Sequence, residues 1–192
     1  MKGRESGMPE QGYWESFFDA DKLFDALFCG HVLEGDLAEF GTGYGTFTIP
    51  ASRRTAGTVY SFEIEPDLAA LVTALCQKEG LGHVRVISRD FVDQGTGLSA
   101  ESIQHALLFN ILHIENPVDL LREAFRILRP GGVASIIHWR QDIPTPRGPS
   151  LSIRPSAAQC IAWAKEAGFY QADPIDIADA CPFHYGVLLT RS

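Results

Sequence analysis

The chain has 192 residues, of which 45% are hydrophobic and 21% charged, and its formal net charge is −8. This length is enough for one domain with a sizeable core, so residues 1–192 are interpreted as a single domain. Within it we distinguish an N-terminal helical segment, 1–30, from a core, 31–192. A negative chain without runs of like charge argues against nucleic acid as a partner. No apolar segment approaches the ~20 residues that span a bilayer, so no membrane partner is expected.

The cysteines carry no sign of a metal or disulfide framework. Cys29, Cys76, Cys160 and Cys181 form no Cys-x-x-Cys pair and fit no zinc-ligand spacing, so no metal site is predicted. Residues 1–5 are not followed by an apolar run, and no secretory signal is expected. These features favour a reduced, cytoplasmic protein.

The N-terminal segment is predicted to be helical after a loose polar start at residues 1–12. Between residues 13 and 28, aromatic and aliphatic side chains recur every three or four positions. This spacing predicts one amphipathic helix or two short ones. Asp19 or Asp21 is placed to cap the second helix, and Gly30 to end it. The aromatic side chains are expected to pack this segment against a sheet.

Three glycines at alternate positions, Gly41, Gly43 and Gly45, follow the apolar residues of a predicted buried strand. Residues without side chains let the backbone turn tightly and approach a ligand closely. A helix is predicted to begin within residues 47–51, directly after the turn. Strand, glycine turn and helix form the nucleotide-cradling unit of doubly wound α/β folds. A tight connection that binds nothing is the simpler alternative.

The glycine spacing differs from the dinucleotide fingerprint G-x-G-x-x-G, because Thr46 stands where the third glycine belongs. Glu39 lies two residues before the first glycine. A pyrophosphate gains nothing from that negative charge, whereas a ligand that carries an ammonium and a sulfonium does. Acid-x-Gly-x-Gly-x-Gly resembles the first motif of the class I S-adenosylmethionine-dependent methyltransferases, and later segments resemble further motifs of that family.

Two later acids stand at the ends of predicted strands. Glu63 lies in the strand over residues 59–64, where a carboxylate accepts from two vicinal ribose hydroxyls, and this segment resembles the second motif. Asp90 follows the strand over 84–87 and resembles the third motif, in which an acid accepts from the adenine amine. In that motif the next residue, here Phe91, packs on the ring. Helix capping by Glu63 and a plain loop position for Asp90 are the alternatives.

A fourth predicted strand, over residues 106–109, ends in Asn110, and ligands bind at this edge of such sheets. The segment Asn-Ile-Leu-His at 110–113 resembles the fourth motif of small-molecule methyltransferases. It is not the Asp/Asn-Pro-Pro-aromatic signature of amine and base methylases. This departure disfavours nucleic-acid bases and protein amides as acceptors.

The rest of the chain continues the alternation of helices and strands. Apolar spacing predicts helices over 67–79 and 117–128, and Arg-Pro-Gly-Gly at 129–132 predicts a tight turn of scaffold character, another family hallmark. The predicted buried face of the first of these helices comprises Leu68, Leu71, Val72 and Leu75. The remaining predicted elements are a strand over 133–139, a loop over 140–155, a helix over 156–167, and an antiparallel pair of strands over 174–178 and 184–190.

The resemblance implies an α/β fold: a doubly wound Rossmann-like sheet of about seven strands, mostly parallel with an antiparallel C-terminal pair, and helices on both faces. It implies S-adenosyl-L-methionine as cofactor, S-adenosyl-L-homocysteine as product and a small-molecule methyl acceptor; a homodimer is compatible with it. In this family an N-terminal segment often covers the cleft, here with Trp14 and Phe18. The cofactor-binding residues that it implies are Glu39, Gly41, Thr42, Gly43, Glu63, Ile64, Asp90, Phe91, Asn110 and Leu112.

Candidates for the acceptor side follow from position in the predicted sheet. His113 comes directly after the cofactor-lining stretch and would act as general base if the acceptor enters protonated; packing or hydrogen bonding is the simpler role. His138 near the end of the fifth strand is a second candidate to contact the acceptor. Arg147 and Arg154 in the loop over 140–155 would hold an anionic acceptor, with solvated loop arginines as the alternative.

Two other classes of protein stay open. A nicotinamide-dependent oxidoreductase shares the fold and an acid at Glu63, but the glycine spacing, Glu39 and the lack of a Tyr-x-x-x-Lys pair disfavour it. A non-catalytic protein that binds the cofactor for sensing or assembly would carry the same cofactor motifs.

Overall fold

The computed structural model describes residues 7–192. The predictions for residues 1–6, a loose start without a secretory signal, lie outside the described part. Seven helices and seven strands alternate along the described chain. The helices are α1 Gln11–Glu15, α2 Ala20–Phe28, α3 Thr48–Ser52, α4 Pro66–Lys78, α5 Phe91–Gln94, α6 Pro117–Ile127 and α7 Ala157–Ala167. The strands are β1 Leu37–Phe40, β2 Val59–Glu63, β3 Val84–Ser88, β4 Ile103–Phe109, β5 Leu128–Trp139, β6 Gln171–Ile175 and β7 His184–Thr190.

The strands form one sheet in the order β3-β2-β1-β4-β5-β7-β6. All neighbouring strands are parallel except β7, which runs antiparallel to both β5 and β6. This confirms the predicted fold class, including the antiparallel C-terminal pair. The strand order reverses between β1 and β4, and ligands of open α/β sheets bind at such a switch point.

Apolar side chains alternate between the two faces of the sheet, so the core has two layers. On β4, Leu107 and Phe109 pack with α1 to α4 on one face. Ala106 and Leu108 pack with α5 to α7 on the other. Burying one large apolar side chain fully contributes about 1.5–3 kcal/mol to the free energy of unfolding. The two layers together therefore stabilise the sheet and the positions of its strand ends.

The N-terminal segment forms two short helices, and the second has clear ends. The Asp19 carboxylate accepts a hydrogen bond from the backbone N–H of Lys22 at 3.1 Å, so Asp19 is the cap. The helix ends where Cys29 and Gly30 take left-handed backbone angles, with φ of 51° and 70°. Four side chains of α2 are buried against the sheet: Leu23, Phe24, Leu27 and Phe28.

The buried face of α4 differs from the predicted one. Ala69, Val72 and Cys76 are buried, whereas Leu71 is 39% exposed. Small residues at positions i, i+3 and i+7 let the helix lie close to the sheet, and the larger leucines occupy its flanks. The prediction was right for Val72 and wrong for Leu71, because contacts with the sheet, rather than the spacing of the leucines, decide which side of the helix is buried.

The Arg-Pro-Gly-Gly segment also differs from prediction, since it continues β5 rather than forming a separate turn. The register with β4 shifts between Ile103 and His105, which marks a bulge. Gly131 makes it possible by taking φ +74°, and its N–H bonds the Arg191 carbonyl at 2.9 Å. The segment is therefore part of the scaffold, but as a bulged stretch of β5 rather than as a separate turn.

Strand β6 begins three residues before its predicted start. Pro174 lies inside it, and proline is tolerated in edge strands such as β6. Of the helices in residues 7–192, none has the length and apolar character needed to cross a membrane.

Candidate cofactor-binding site

A cavity of about 350 Å³ opens at the carboxyl ends of β1, β2 and β4, beside the switch point. Its size falls in the range of small-molecule and cofactor sites. Nine of the residues predicted to bind cofactor or to act in catalysis line it: Gly41, Thr42, Gly43, Glu63, Ile64, Asp90, Phe91, Asn110 and His113.

The glycine turn after β1 forms one wall of the cavity. The N–H groups of Gly41 and Thr42 both bond the Phe62 carbonyl, at 2.9 and 3.0 Å, and tie the turn to β2. Gly41, Gly43 and Gly45 have φ of 92°, 54° and 81°, a region that side chains strongly disfavour. Glycine at 41 and 43 therefore brings bare backbone to the cavity, whereas a Cβ on Gly45 would lie 3.2 Å from Val72 Cγ1 of α4.

Glu63 at the end of β2 faces the cavity and is held from two sides. Its Oε2 accepts from the Gly43 N–H at 2.8 Å and its Oε1 from the Glu65 N–H at 3.1 Å. Burial raises the pKa of Glu63, and the hydrogen bonds from the backbone of Glu65 and Gly43 oppose that rise. Each carboxylate oxygen keeps a second lone pair for a donor in the cavity. The carboxylate is thus preoriented toward a ligand.

Glu39 lies behind the glycine turn rather than in the cavity lining. Only 2% of it is exposed, and its Oε2 accepts from the hydroxyls of Thr48 and Ser61, both at 2.5 Å. Ser61 also bonds the hydroxyl of Thr42, which does line the cavity. Glu39 therefore reaches the cavity through two hydroxyls, and we assign it no direct ligand contact.

Burial raises the pKa of Glu39 to about 7, although hydrogen bonds from Ser61 and Thr48 act in the opposite direction. A carboxyl whose folded-state pKa is raised stabilises the fold only while it is protonated. The stability that it contributes is complete below its ordinary value near 4.5 and is lost as the pH rises through about 7.

We expect Glu39→Gln to remove this pH dependence, because an amide keeps the hydroxyl partners and carries no charge to desolvate. The variant should match the wild type near pH 4.5 and exceed its free energy of unfolding by roughly 3 kcal/mol above pH 8. Chemical denaturation across this range measures the difference. The exposed Glu34→Gln is the control, and a difference between Glu39→Gln and wild type that does not grow with pH would contradict the assignment.

Asp90 and Phe91 follow β3 and meet the cavity in different ways. The Asp90 Oδ1 accepts from the backbone N–H of Val92 and Asp93, both at 3.2 Å, and so caps α5. Phe91 is buried and packs edge-on against Phe40 at a ring-centroid distance of 5.6 Å. The cap fixes the orientation of the Asp90 carboxylate at the cavity wall.

Asn110 carries the clearest sign of a missing ligand. It takes a left-handed backbone conformation, with φ of 55°, at the end of β4. Its Oδ1 and Nδ2 are both buried, and neither has a hydrogen-bond partner among the described residues. Because buried amides are normally satisfied, this side chain fits a ligand that offers both a donor and an acceptor.

His113 lines the cavity, but three other predicted residues do not. Leu112 is fully buried in the core, and His138 is fully buried with its Nε2 3.2 Å from the Nδ1 of His113. Arg147 donates to the carbonyl of Gly7 at 2.6 Å. We therefore assign no ligand contact to Leu112, His138 or Arg147.

Arg154 has a structural role in its loop. It is buried and donates to the carbonyls of Arg140 and Pro149, at 2.6 and 2.8 Å, and to the Thr145 hydroxyl at 2.8 Å. These bonds hold the segment after β5 in place. A guanidinium used in this way is not placed to bind an acceptor.

Several lining residues carried no sequence signal of function. Met8 lies over the glycine turn, where a Cβ on Gly43 would be 3.1 Å from its Cε. Trp14, which the family resemblance placed over the cleft together with Phe18, borders the cavity, whereas Phe18 is not among its described lining residues. The other lining residues that sequence reasoning missed are Phe40, Thr46, Phe47, Val92, Asp93, Phe109, Ile111, Ile114, Glu115, Asn116, Asp119 and Leu120.

The charge of the lining favours a cationic ligand. Five carboxylates border the cavity, and no lysine or arginine is found among its described lining residues. Such a site disfavours the two negative charges of a dinucleotide pyrophosphate and suits a ligand with positive groups. The carboxylates are those of Glu63, Asp90, Asp93, Glu115 and Asp119.

A sheet of this strand order, with a glycine turn and a cavity at its switch point, defines a Rossmann-like cofactor-binding domain. The family model described as "Methyltransferase domain" matches residues 37–132, half of the chain. The chain belongs to this family, the class I S-adenosylmethionine-dependent methyltransferases. No curated protein matches the sequence significantly.

Solved structures show the same fold. A SAM dependent methyltransferase from Aquifex aeolicus has a TM-score of 0.81 at 18% identity, over 95% of this chain and 95% of that one. The N-terminal domain of EvdMO1 with SAH bound has a TM-score of 0.66 at 19% identity, over 96% of this chain and 85% of that one. The [4+2]-cyclase SpnF has a TM-score of 0.67 at 17% identity, over 88% of this chain and 80% of that one. Because a cyclase shares the fold, the fold alone does not determine the reaction.

Proposed function

We propose that this protein transfers a methyl group from S-adenosylmethionine to a small-molecule acceptor held at the same cavity. The observation that carries the proposal is the acidic, glycine-walled cavity at the switch point, which contains an unsatisfied amide at Asn110. The structural likeness to the EvdMO1 domain, which binds SAH, supports the choice of cofactor.

The residues around the cavity fit the parts of this cofactor. Glu63 would accept from the ribose hydroxyls with its two preoriented oxygens. Asp90 and Phe91 would hold the adenine, by hydrogen bonding and by packing. The bare backbone at Gly41 and Gly43, with the Asn110 amide, would receive the amino acid end.

When bound, S-adenosylmethionine supplies an electrophilic methyl group on its sulfonium. The task of the protein is then to align the acceptor with that group, since proximity and orientation supply much of the acceleration. His113 would take a proton from an acceptor that enters protonated, because its ring borders the cavity and a neutral imidazole has a nitrogen that accepts a proton.

The acceptor is proposed to be small and without an anionic group. Five lining carboxylates would repel an anion, and the described lining contains no arginine or lysine to offset them. Trp14, Phe47 and Phe109 add apolar walls to the cavity. A neutral molecule with an ionisable hydroxyl or an amine matches this environment.

Two assays on the wild-type protein test the proposal. Calorimetry with S-adenosylhomocysteine should give saturable binding, and NADH at the same concentrations should give none. S-adenosylmethionine with a radiolabelled methyl group should then pass label to members of a panel of phenols, alcohols, amines and carboxylates, with the carboxylates inactive.

The outcomes separate the alternatives. Binding of S-adenosylhomocysteine without label transfer across the whole panel would contradict the transferase and support a cofactor-binding sensor. Binding of NADH instead would contradict both and support an oxidoreductase. Transfer confined to carboxylates would contradict the proposed acceptor class alone.

A further inference from the structure

We propose that binding of the cationic cofactor is coupled to the ionisation of Glu39: the carboxyl is protonated in the free protein and loses its proton to the solvent when S-adenosylmethionine binds. This inference rests on the proposed function. It gives a role to a buried acid that does not itself line the cavity.

The two carboxyl oxygens of Glu39 have different surroundings. Oε2 accepts from the hydroxyls of Thr48 and Ser61, both at 2.5 Å. Oε1 is buried and has no hydrogen-bond partner among the described residues. A proton on Oε1 leaves both hydroxyl bonds intact, so Glu39 can gain or lose that proton without breaking either of them.

The groups around Glu39 favour the protonated form in the free protein. Only 2% of Glu39 is exposed; β4 places the apolar Leu107 beside it, and α3 contributes the uncharged Thr48. The ionisable groups that act on it are Glu63 at the end of β2 and the Cys76 thiol of α4, and neither supplies a positive charge. Burial, with a smaller contribution from Glu63, raises the pKa of Glu39 to about 7.

A relay of two hydroxyls connects Glu39 to the cavity. Ser61 donates its hydrogen to Glu39, so the hydrogen between Ser61 and Thr42 comes from the Thr42 hydroxyl, and Thr42 is a lining residue. Both hydroxyls thus point their hydrogens toward the carboxyl, and a negative charge on Glu39 polarises them further. A positive group beside Thr42 and a negative charge on Glu39 therefore attract each other through this relay.

The cofactor brings the positive charge that Glu39 lacks. S-adenosylmethionine carries an ammonium and a sulfonium, and no lysine or arginine is found in the described lining of the cavity. Binding should therefore lower the pKa of Glu39, and by reciprocity the cofactor should bind more tightly once Glu39 is ionised. The affinity should accordingly rise as the pH passes upward through about 7.

Calorimetry of S-adenosylmethionine binding at pH 6 and pH 8, on the wild type and on Glu39→Gln, tests the coupling. The amide keeps the shape of the protonated carboxyl and cannot ionise. The ratio of the wild-type to the variant dissociation constant should fall about fivefold to tenfold between these pH values, because Glu39 is mostly protonated at the lower and mostly ionised at the higher. In the exposed Glu34→Gln the dissociation constants should follow those of the wild type at both.

A series of ligands separates the effect of charge from that of shape. S-adenosylhomocysteine keeps the ammonium but lacks the sulfonium, so its ratio should fall less. Methylthioadenosine lacks the amino acid end and carries no positive charge, so its ratio should be the same at both pH values. At pH 7, calorimetry in phosphate and in Tris counts released protons, because the ionisation enthalpies of these buffers differ. The wild type should release about half a proton more per S-adenosylmethionine than Glu39→Gln does.

A ratio that does not change with pH would overturn the proposal, as would equal proton release by the two proteins or an equal fall with methylthioadenosine. If Glu39→Gln fails to fold, the wild type decides: S-adenosylmethionine must gain affinity relative to methylthioadenosine from pH 6 to pH 8. Saturable binding with an unchanged ratio refutes only the role of Glu39. Absent binding of S-adenosylmethionine refutes the proposed function.

Discussion

Gly43→Val is expected to abolish the binding of S-adenosylhomocysteine. Gly43 has φ +54°, which a β-branched residue adopts only with strain, and its added side chain would enter the cavity and meet Met8 Cε, 3.1 Å from the Cβ position. Its N–H also orients the Glu63 carboxylate at 2.8 Å, so a shift of the turn would disturb the ribose site too. Calorimetry should detect no binding at concentrations that saturate the wild type.

The matched control for this variant is Gly80→Val. Gly80 has a similar φ of +71°, at the end of α4, but nothing lies within 4 Å of its Cβ position. It should show a comparable loss of thermal stability and bind the ligand normally. Gly43→Ala, with a smaller side chain, serves if the valine variant does not fold. Wild-type affinity in a folded Gly43→Val would show that the turn is not the binding site.

Glu63→Ala is expected to weaken S-adenosylhomocysteine binding by about 1.5–3 kcal/mol, roughly tenfold to 150-fold, as for lost hydrogen bonds to a charged group. The loss has two sources, the missing acceptors for ribose and the released N–H groups of Gly43 and Glu65. Glu63→Gln keeps the shape and one acceptor oxygen, so its affinity should be intermediate. Calorimetry measures all three proteins.

Glu65→Ala is the local control for the ribose assignment. It removes a carboxylate from the same connection, two residues along the chain, and Glu65 does not border the cavity. Its dissociation constant should stay near that of the wild type. An unchanged constant in Glu63→Ala would remove Glu63 from the ribose role.

The fold was predictable because its sequence signals are local and repeated. Apolar runs, the helix break at Gly30 and the spacing of the acids each report on a few neighbouring residues, and together they specify alternating strands and helices. The bounds of β7 agree with the prediction for that reason. Errors arose where neighbours in space decide the outcome, as in the buried face of α4 and the bulge at Gly131.

The site was predictable in part. Motif spacing brings Glu63, Asp90 and Asn110 to one edge of the sheet, because the carboxyl ends of parallel strands meet there. Spacing does not show which way a side chain points. Glu39 belongs to a motif but turns inward to Thr48 and Ser61, and the pairing of two histidines 25 positions apart appears only in three dimensions.

A crystal structure of the chain with S-adenosylhomocysteine tests the central claim most directly. We expect the ligand in the cavity at the ends of β1, β2 and β4, with its ribose on Glu63, its adenine beside Asp90 and Phe91, and its amino acid end on the turn at Gly43 and on Asn110. Ligand density elsewhere on the protein, or the same cavity occupied without contact to Glu63, would contradict it.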